Sequence, residues 1–199
     1  MRTVDTAKHD AKSAEILDAA ERCIARRGFH ATTIAQICDE AGISPGHLYH
    51  YFESKVAIMN AISARGLEYV ETGLARLVDQ PDPVDAVLAE VERFRSYKKL
   101  SGGGGVLLEI LSEAGRNPAI AKALREHTAG MRKLLAEFLR DGQKRGKIDT
   151  SLDPDMAAII LISILDGCKT LAVRDPKLNA AKFGEALETL IGRFLRASP

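Results

Sequence analysis

Apolar residues recur every third or fourth position along nearly the whole chain, and no stretch alternates with period two. A spacing near 3.6 gathers such residues on one face of a helix, whereas a half-buried strand needs strict alternation. The chain is therefore read as all-α, with about nine helices and no repeat of fixed length. Turn chemistry sets the boundaries. Ile16, Leu17, Ala20, Cys23 and Ile24 form the stripe of a first helix that stops at Gly28. Thr33 caps a short second helix holding Ile34, Ile37, Cys38 and Ala41, which ends at Gly42. Ser44 followed by Pro45 is an N-cap with proline at the first helical position, and it opens a third helix. Ser54 caps a long fourth helix through Ile58, Ile62, Tyr69, Val70, Leu74, Leu77 and Val78, closed by "DQPDP" near Pro81. Striped segments then run from Val84 to Leu100, Val106 to Arg116, Pro118 to Arg145, Pro154 to Val173 and Asn179 to Ala197.

The second, third and fourth of these helices frame the densest run of polar-tipped rings. "GISPGHLYHYFESK", from Gly42 to Lys55, holds two of the five histidines and two of the four tyrosines. A short helix, a tight Gly42–Ile43 turn and another short helix make a helix-turn-helix, in which Cys38 and Ala41 are small enough for close crossing. Leu48 and Phe52, four apart, turn inward, leaving Gly46, His47, Tyr49, His50 and Tyr51 on or beside the outward surface. Imidazole and phenol tips donate hydrogen bonds to a groove without bulk positive charge.

Charge makes that economy necessary. The net charge of +1 over 199 residues excludes a polycation that binds nucleic acid by bulk attraction, and 46% hydrophobic residues exclude a charged disordered chain. Residues 1 to 55 hold seven Lys/Arg against eight Asp/Glu, so Arg26, Arg27 and Lys55 must supply charge locally. Salt dependence of DNA binding should be moderate. The three cysteines are far apart and lack C-x-x-C spacing, which fits a reducing cytosol and small core roles for Cys23 and Cys38. The N-terminus has no apolar signal region, and "MAAIILISIL" is well short of the roughly 18 residues of a membrane span. A cytoplasmic protein without membrane contact is expected.

The run "TTIAQICDEAGISPGHLYHYFESKVAIMNAI" resembles the DNA-binding segment of the TetR family of bacterial transcriptional repressors. The likeness covers about the first 60 residues: the threonine cap, the Ala-Gly-Ile-Ser turn, the Leu-Tyr-x-x-Phe helix and the lysine that opens helix four. It implies a helix-turn-helix DNA-binding domain at 1–53 and a helical effector-binding and dimerisation domain at 54–199. It puts Thr33, Tyr49, Tyr51 and Lys55 where the family grips phosphates, and Pro45, Gly46, His47 and His50 where it faces bases, with Ser44 as the cap beneath them. His47 departs from the small residue, often threonine, common at its position. The implied partners are a palindromic double-stranded operator, a small-molecule effector and a second copy of the chain; no cofactor is implied.

Polar residues within the apolar stripes of the larger part are the effector candidates. His127 shares a face with Leu124, Met131 and Leu134 and is expected to point into a cavity walled by Leu107 and Leu111, with Tyr97 and Asp166 as further contacts. With 5% aromatic residues and no tryptophan, a cationic cage is hard to build, and an apolar or amphipathic effector suits the lining better. Ile160 and Ile164, with Leu187, Leu190, Ile191 and Phe194, resemble the family's two-helix share of a dimeric four-helix bundle. "SGGGG" (Ser101 to Gly105) lacks the preceding strand and the Gly-Lys-Ser/Thr of a phosphate loop, and is read as a flexible join. His47 and His50 lack a third metal ligand nearby. The competing reading is a helical enzyme or small-molecule carrier that uses the pocket, with the helix-turn-helix a mere packing motif; no nucleophile, base and orienter stand out for it.

Overall fold

The computed structural model describes residues 6–77, 80–89, 103–175 and 177–196. Among them are nine helical segments and no strand: α1 (Thr6–Arg27), α2 (Ile34–Ala41), α3 (Pro45–Leu48), α4 (Lys55–Leu77), helical residues 83–89 (α5), α6 (Gly103–Ala114), α7 (Pro118–Lys144), α8 (Pro154–Arg174) and α9 (Ala180–Leu195). The starts of α1 and α6 differ from the sequence reading. Helix α1 begins well ahead of its apolar stripe, because residues 7–15 are alanines and polar side chains that extend a helix without burying a face. The glycine run is not a free join: Gly103–Gly105 form the first turn of α6, while Ser101 and Gly102 lie outside the described residues.

Caps account for where the short helices start and stop. The Thr33 hydroxyl accepts from the Gln36 N–H at 3.2 Å while the Gln36 side chain accepts from the Thr33 N–H at 3.0 Å, a complete capping box. Gly42, at φ +63°, donates to the Asp39 carbonyl, and Ile43 N–H reaches the Cys38 carbonyl at 3.0 Å. This double closure needs a left-handed residue, and glycine adopts that conformation without penalty. Ser44 accepts from the His47 N–H at 3.2 Å and starts α3, with Pro45 at its first position. Asp153 and Asn179 cap α8 and α9 in the same manner.

The helices gather into two compact units, Met1–Ala64 with Ser101–Leu124, and Arg65–Leu100 with Arg125–Pro199. This division does not follow the expected boundary at 53/54. The stripe of α1 (Ile16, Leu17, Ala20, Cys23, Ile24) packs with Ile37, Cys38, Leu48, Phe52, Ile58, Met59 and Ile62, and this core is completed by Val106 and Ile110 of α6 and Ile120 of α7. Ile16, Ile24, Ile37, Leu48 and Ile58 are fully buried, each stabilising the unit by about 1.5–3 kcal/mol. The second core joins Leu77, Val84 and Val87 to Leu135, Phe138 and Leu139 of α7, Ile148, Leu161 of α8, and Leu187, Ile191 and Leu195 of α9. In that unit α4 and α7 approach through glycines: a methyl on Gly130 would sit 2.9 Å from Leu67 Cδ2, and one on Gly66 would sit 3.0 Å from His127 Cε1.

Candidate DNA-reading face and effector unit

The third helix is shorter than its ring-bearing run. After Leu48 the chain tightens into a turn, with Tyr51 N–H on the Leu48 carbonyl at 2.9 Å and His50 N–H on the His47 carbonyl at 3.2 Å. Leu48 and Phe52 are buried and pin the segment to the first core. Ser44, Pro45, Gly46, His47, Tyr49 and His50 are exposed together, Thr33 is exposed at the start of α2, and Tyr51 is half-buried. A methyl placed on Gly46 meets nothing within 4 Å, so no packing inside the chain demands glycine there. Tyr51 lies within a cluster of rings: His9 of α1 stacks on it at 4.7 Å and 27°, and His47 lies 5.6 Å away, tilted by 55°. His9 was missed in the sequence because it sits ahead of the apolar stripe, where spacing carries no signal.

Lys55 is engaged within its own chain. Its ammonium donates to the carbonyls of Phe29 (2.7 Å), Thr32 (2.8 Å) and His30 (3.3 Å) and lies 4.4 Å from the centre of the Phe29 ring. Three donors meet three carbonyls, so this lysine ties the α1–α2 turn to the start of α4. Burial lowers its pKa, with Glu113 opposing that shift. Arg26 likewise pairs with Glu40, which also accepts from Arg22 at 2.7 Å, so its charge is partly neutralised locally. Arg27 is exposed.

The same turn is held from the other side by α6. Gly28 turns the chain at φ +80°, Thr32 closes back on the Gly28 carbonyl at 2.8 Å through its hydroxyl, and Phe29 N–H donates to Glu109 Oε2 at 2.7 Å. One helical turn later Glu113, only 3% exposed, meets His30 Nε2 at 2.7 Å and Arg116 at 2.8 Å. The Arg116 hydrogen bond, reinforced by His30, holds the Glu113 carboxyl below the usual glutamate range against the opposing effect of burial. Sequence reading missed Glu109 and Glu113: they pair with partners about 80 residues away, which no local pattern exposes.

The effector candidates fall into both units. Leu107, Leu111 and Leu124 belong to the first, where Leu124 packs on its core and Leu111 is exposed. His127, Met131, Leu134 and Asp166 belong to the second; Met131 is buried, the other three are half-buried, and the His127 ring faces Gly66 of α4. Tyr97 lies outside the described residues. The dimer candidates also separate. Leu187 (5% exposed) and Ile191 (1%) belong to the core of their own unit. The helical period explains this: with Gly184 and Leu195 they form the inner row of α9. Leu190 is 54% exposed and Ile160 43%, whereas Ile164 and Phe194 are half-buried against that core. Between α8 and α9 runs an apolar groove of about 320 Å³, lined by Ile164, Gly167, Cys168, Leu171, Phe183, Ala186, Leu187 and Leu190, with Ser163 and Arg174. Among the described residues no helix is long and apolar enough to cross a membrane.

Comparison with known proteins agrees with this arrangement. A family model described as "Bacterial regulatory proteins, tetR family" matches residues 16–62, and one described as "BetI-type transcriptional repressor, C-terminal" matches residues 104–196. The HTH-type transcriptional regulator UidR of Escherichia coli strain K12 is 31% identical over 184 residues, covering 92% of each chain. The solved structure of Salmonella enterica GusR is 28% identical, with a TM-score of 0.74 over 93% of this chain and 95% of its own. The fold is also that of FadR from Bacillus subtilis, solved in complex with stearoyl-CoA: TM-score 0.77, 21% identity, 91% of this chain and 98% of that one. UidR is a transcriptional regulator, and this chain belongs to the TetR family of bacterial transcriptional regulators.

Proposed function

We propose that the chain is a cytoplasmic, homodimeric repressor that holds a palindromic operator through the α2–α3 face and leaves it when a small apolar or amphipathic molecule binds the second unit. The observation that carries this reading is the exposed face itself: Pro45, Gly46 and His47 on the capped α3, and Tyr49 and His50 in the turn that follows it, stand clear of the core, with open space over Gly46. Pro45, Gly46, His47 and His50 face the bases, and Thr33, Tyr49 and Tyr51 face phosphates. With Lys55 and Arg26 both engaged inside the protein, few phosphates are neutralised by full charges. The exposed row of Ile160 and Leu190 beside the α8–α9 groove supports pairing with a second copy, which gives a short reading helix two half-sites. His127, Met131 and Leu134 line the effector site with Asp166. The C-terminal family segment contains α6, whose Glu109 and Glu113 hold the turn that precedes α2, so displacing α6 disturbs the head. Coupling of about 1–3 kcal/mol suffices for release. The test is retention of the purified protein on a duplex selected from random sequences, followed by release with small molecules; stearoyl-CoA, bound by the FadR relative, is the first probe. Selective retention reversed by an apolar or amphipathic compound is expected, and equal retention on random DNA overturns the repressor reading.

A further inference from the structure

We infer that His9 is a positioning residue of the reading head: its imidazole, stacked on Tyr51, fixes the direction in which His47 meets a base. This rests on the reading of His47 as a base contact. The geometry is a chain of three rings. The Tyr51 ring has both histidine rings as neighbours, His9 at 4.7 Å and 27° and His47 at 5.6 Å and 55°. Tyr51 is half-buried and packs on the first core, so its ring is anchored by the core and bounded by two neighbouring rings. Without the His9 face, one of those bounds is lost. Tyr51 then gains room to turn away from His47, and His47, exposed on a helix of four residues, loses a wall that limits its rotamers.

The polar contact at the His9 ring is weak: Nδ1 lies 3.5 Å from Asp10 Oδ1, at the outer limit of a hydrogen bond, and both side chains are substantially exposed. The stack is therefore the interaction that orients this side chain. An aromatic pair of this kind changes an equilibrium by roughly two- to tenfold. That factor should appear in discrimination, because the ring orients a base reader. A phosphate contact would instead appear in affinity for every sequence.

The experiment compares wild type, His9→Ala, His9→Phe and His47→Ala on the selected operator, on the operator with single base changes, and on random duplex, with thermal unfolding measured for each. His9→Ala is expected to lower the operator-to-random ratio about two- to tenfold. It should flatten preference at the same base positions as His47→Ala while unfolding close to the wild-type temperature. His9→Phe, which keeps a flat ring but no ring nitrogen, is expected to restore the ratio. If His47→Ala shifts base preference and His9→Ala does not, the positioning role is overturned while the reading of the face stands. If His9→Phe fails to restore the ratio and both variants weaken random DNA equally, His9 touches phosphate directly and the positioning role is again overturned. If His47→Ala itself leaves base preference unchanged, the reading of the face falls, and this inference with it.

Discussion

The two units of this chain hold themselves together by different means. In the first, short helices are fastened by individually identifiable polar contacts: a capping box at Thr33, the Lys55 ammonium over three carbonyls, Glu109 on the Phe29 N–H and Glu113 between His30 and Arg116. In the second, long helices lie along one another through leucine and isoleucine rows, and glycines set the approach at Gly66, Gly130 and Gly142. A helix of four residues buries too little to orient itself, so the reading head needs polar staples. Long helices have area to spare, and the second unit leaves an apolar row uncovered. Precision in the head and surplus apolar surface in the second unit are what the proposed reading of DNA and pairing with another copy would need.

The largest expected effect breaks the second half of this comparison. A carboxylate at the exposed Leu190, as in Leu190→Glu, is harmless in a monomer but costs several kcal/mol if a partner buries it. Sedimentation should show the variant monomeric where wild type is dimeric, with little change in the unfolding of each protomer. A wild type that is monomeric at micromolar concentration contradicts the pairing.

Lys55→Met tests the first half. A hydrogen bond from a charged group is worth about 1.5–3 kcal/mol, and Lys55 makes three, so the melting temperature should fall. Because the ammonium meets carbonyls and not phosphate, the slope of affinity against salt should stay at its wild-type value. A slope reduced by about one would restore the phosphate role.

Glycines give a matched pair. A methyl on Gly142 would lie 2.5 Å from Ile148 Cδ1, so Gly142→Ala should cost about 1–3 kcal/mol of stability in thermal unfolding and leave DNA affinity per folded molecule intact. Gly46→Ala, over open space, should leave unfolding unchanged and weaken operator binding. A reversal of these two outcomes would undo the contrast between packing and reading.

The smallest effect concerns acid. The Glu113 carboxyl titrates below its unfolded value, so its stabilisation is complete above the ordinary glutamate value of about 4.3 and is lost as the pH falls further through the folded value. Glu113→Gln should cost about 1 kcal/mol at neutral pH, because the Arg116 and His30 side chains are exposed and well solvated. It should also flatten the loss of stability in acid. Identical acid unfolding of the two proteins would show the carboxyl to be uncoupled from folding.

Legibility in the sequence follows the same division. Thr33, Gly42, Ser44 and Pro45 act within their own turn, so local chemistry announced the caps, and period alone turned Leu48 and Phe52 inward. The intrachain contacts of Lys55 were not legible, because a lysine opening a helix looks free until the carbonyls of residues 29, 30 and 32 are brought under it by folding. Leu187 and Leu190 look alike in sequence, yet one is core and the other is exposed: period defines the two rows of α9, and only the way α9 is turned on its unit decides which row faces inward. Ligand candidates were hardest, because a stripe names a face without naming what it faces: His127 stands beside Gly66 of α4, which no spacing in α7 reports.

The central claim, that the exposed α3 face reads a two-fold operator largely through neutral donors, is tested most directly by selecting duplexes from a random pool with wild type and with His47→Ala in parallel. The account predicts that wild type enriches a palindrome of two half-sites, and that the variant enriches a pool degenerate at one symmetric pair of positions. No enriched sequence with wild type, or the same palindrome at full definition with His47→Ala, would contradict it.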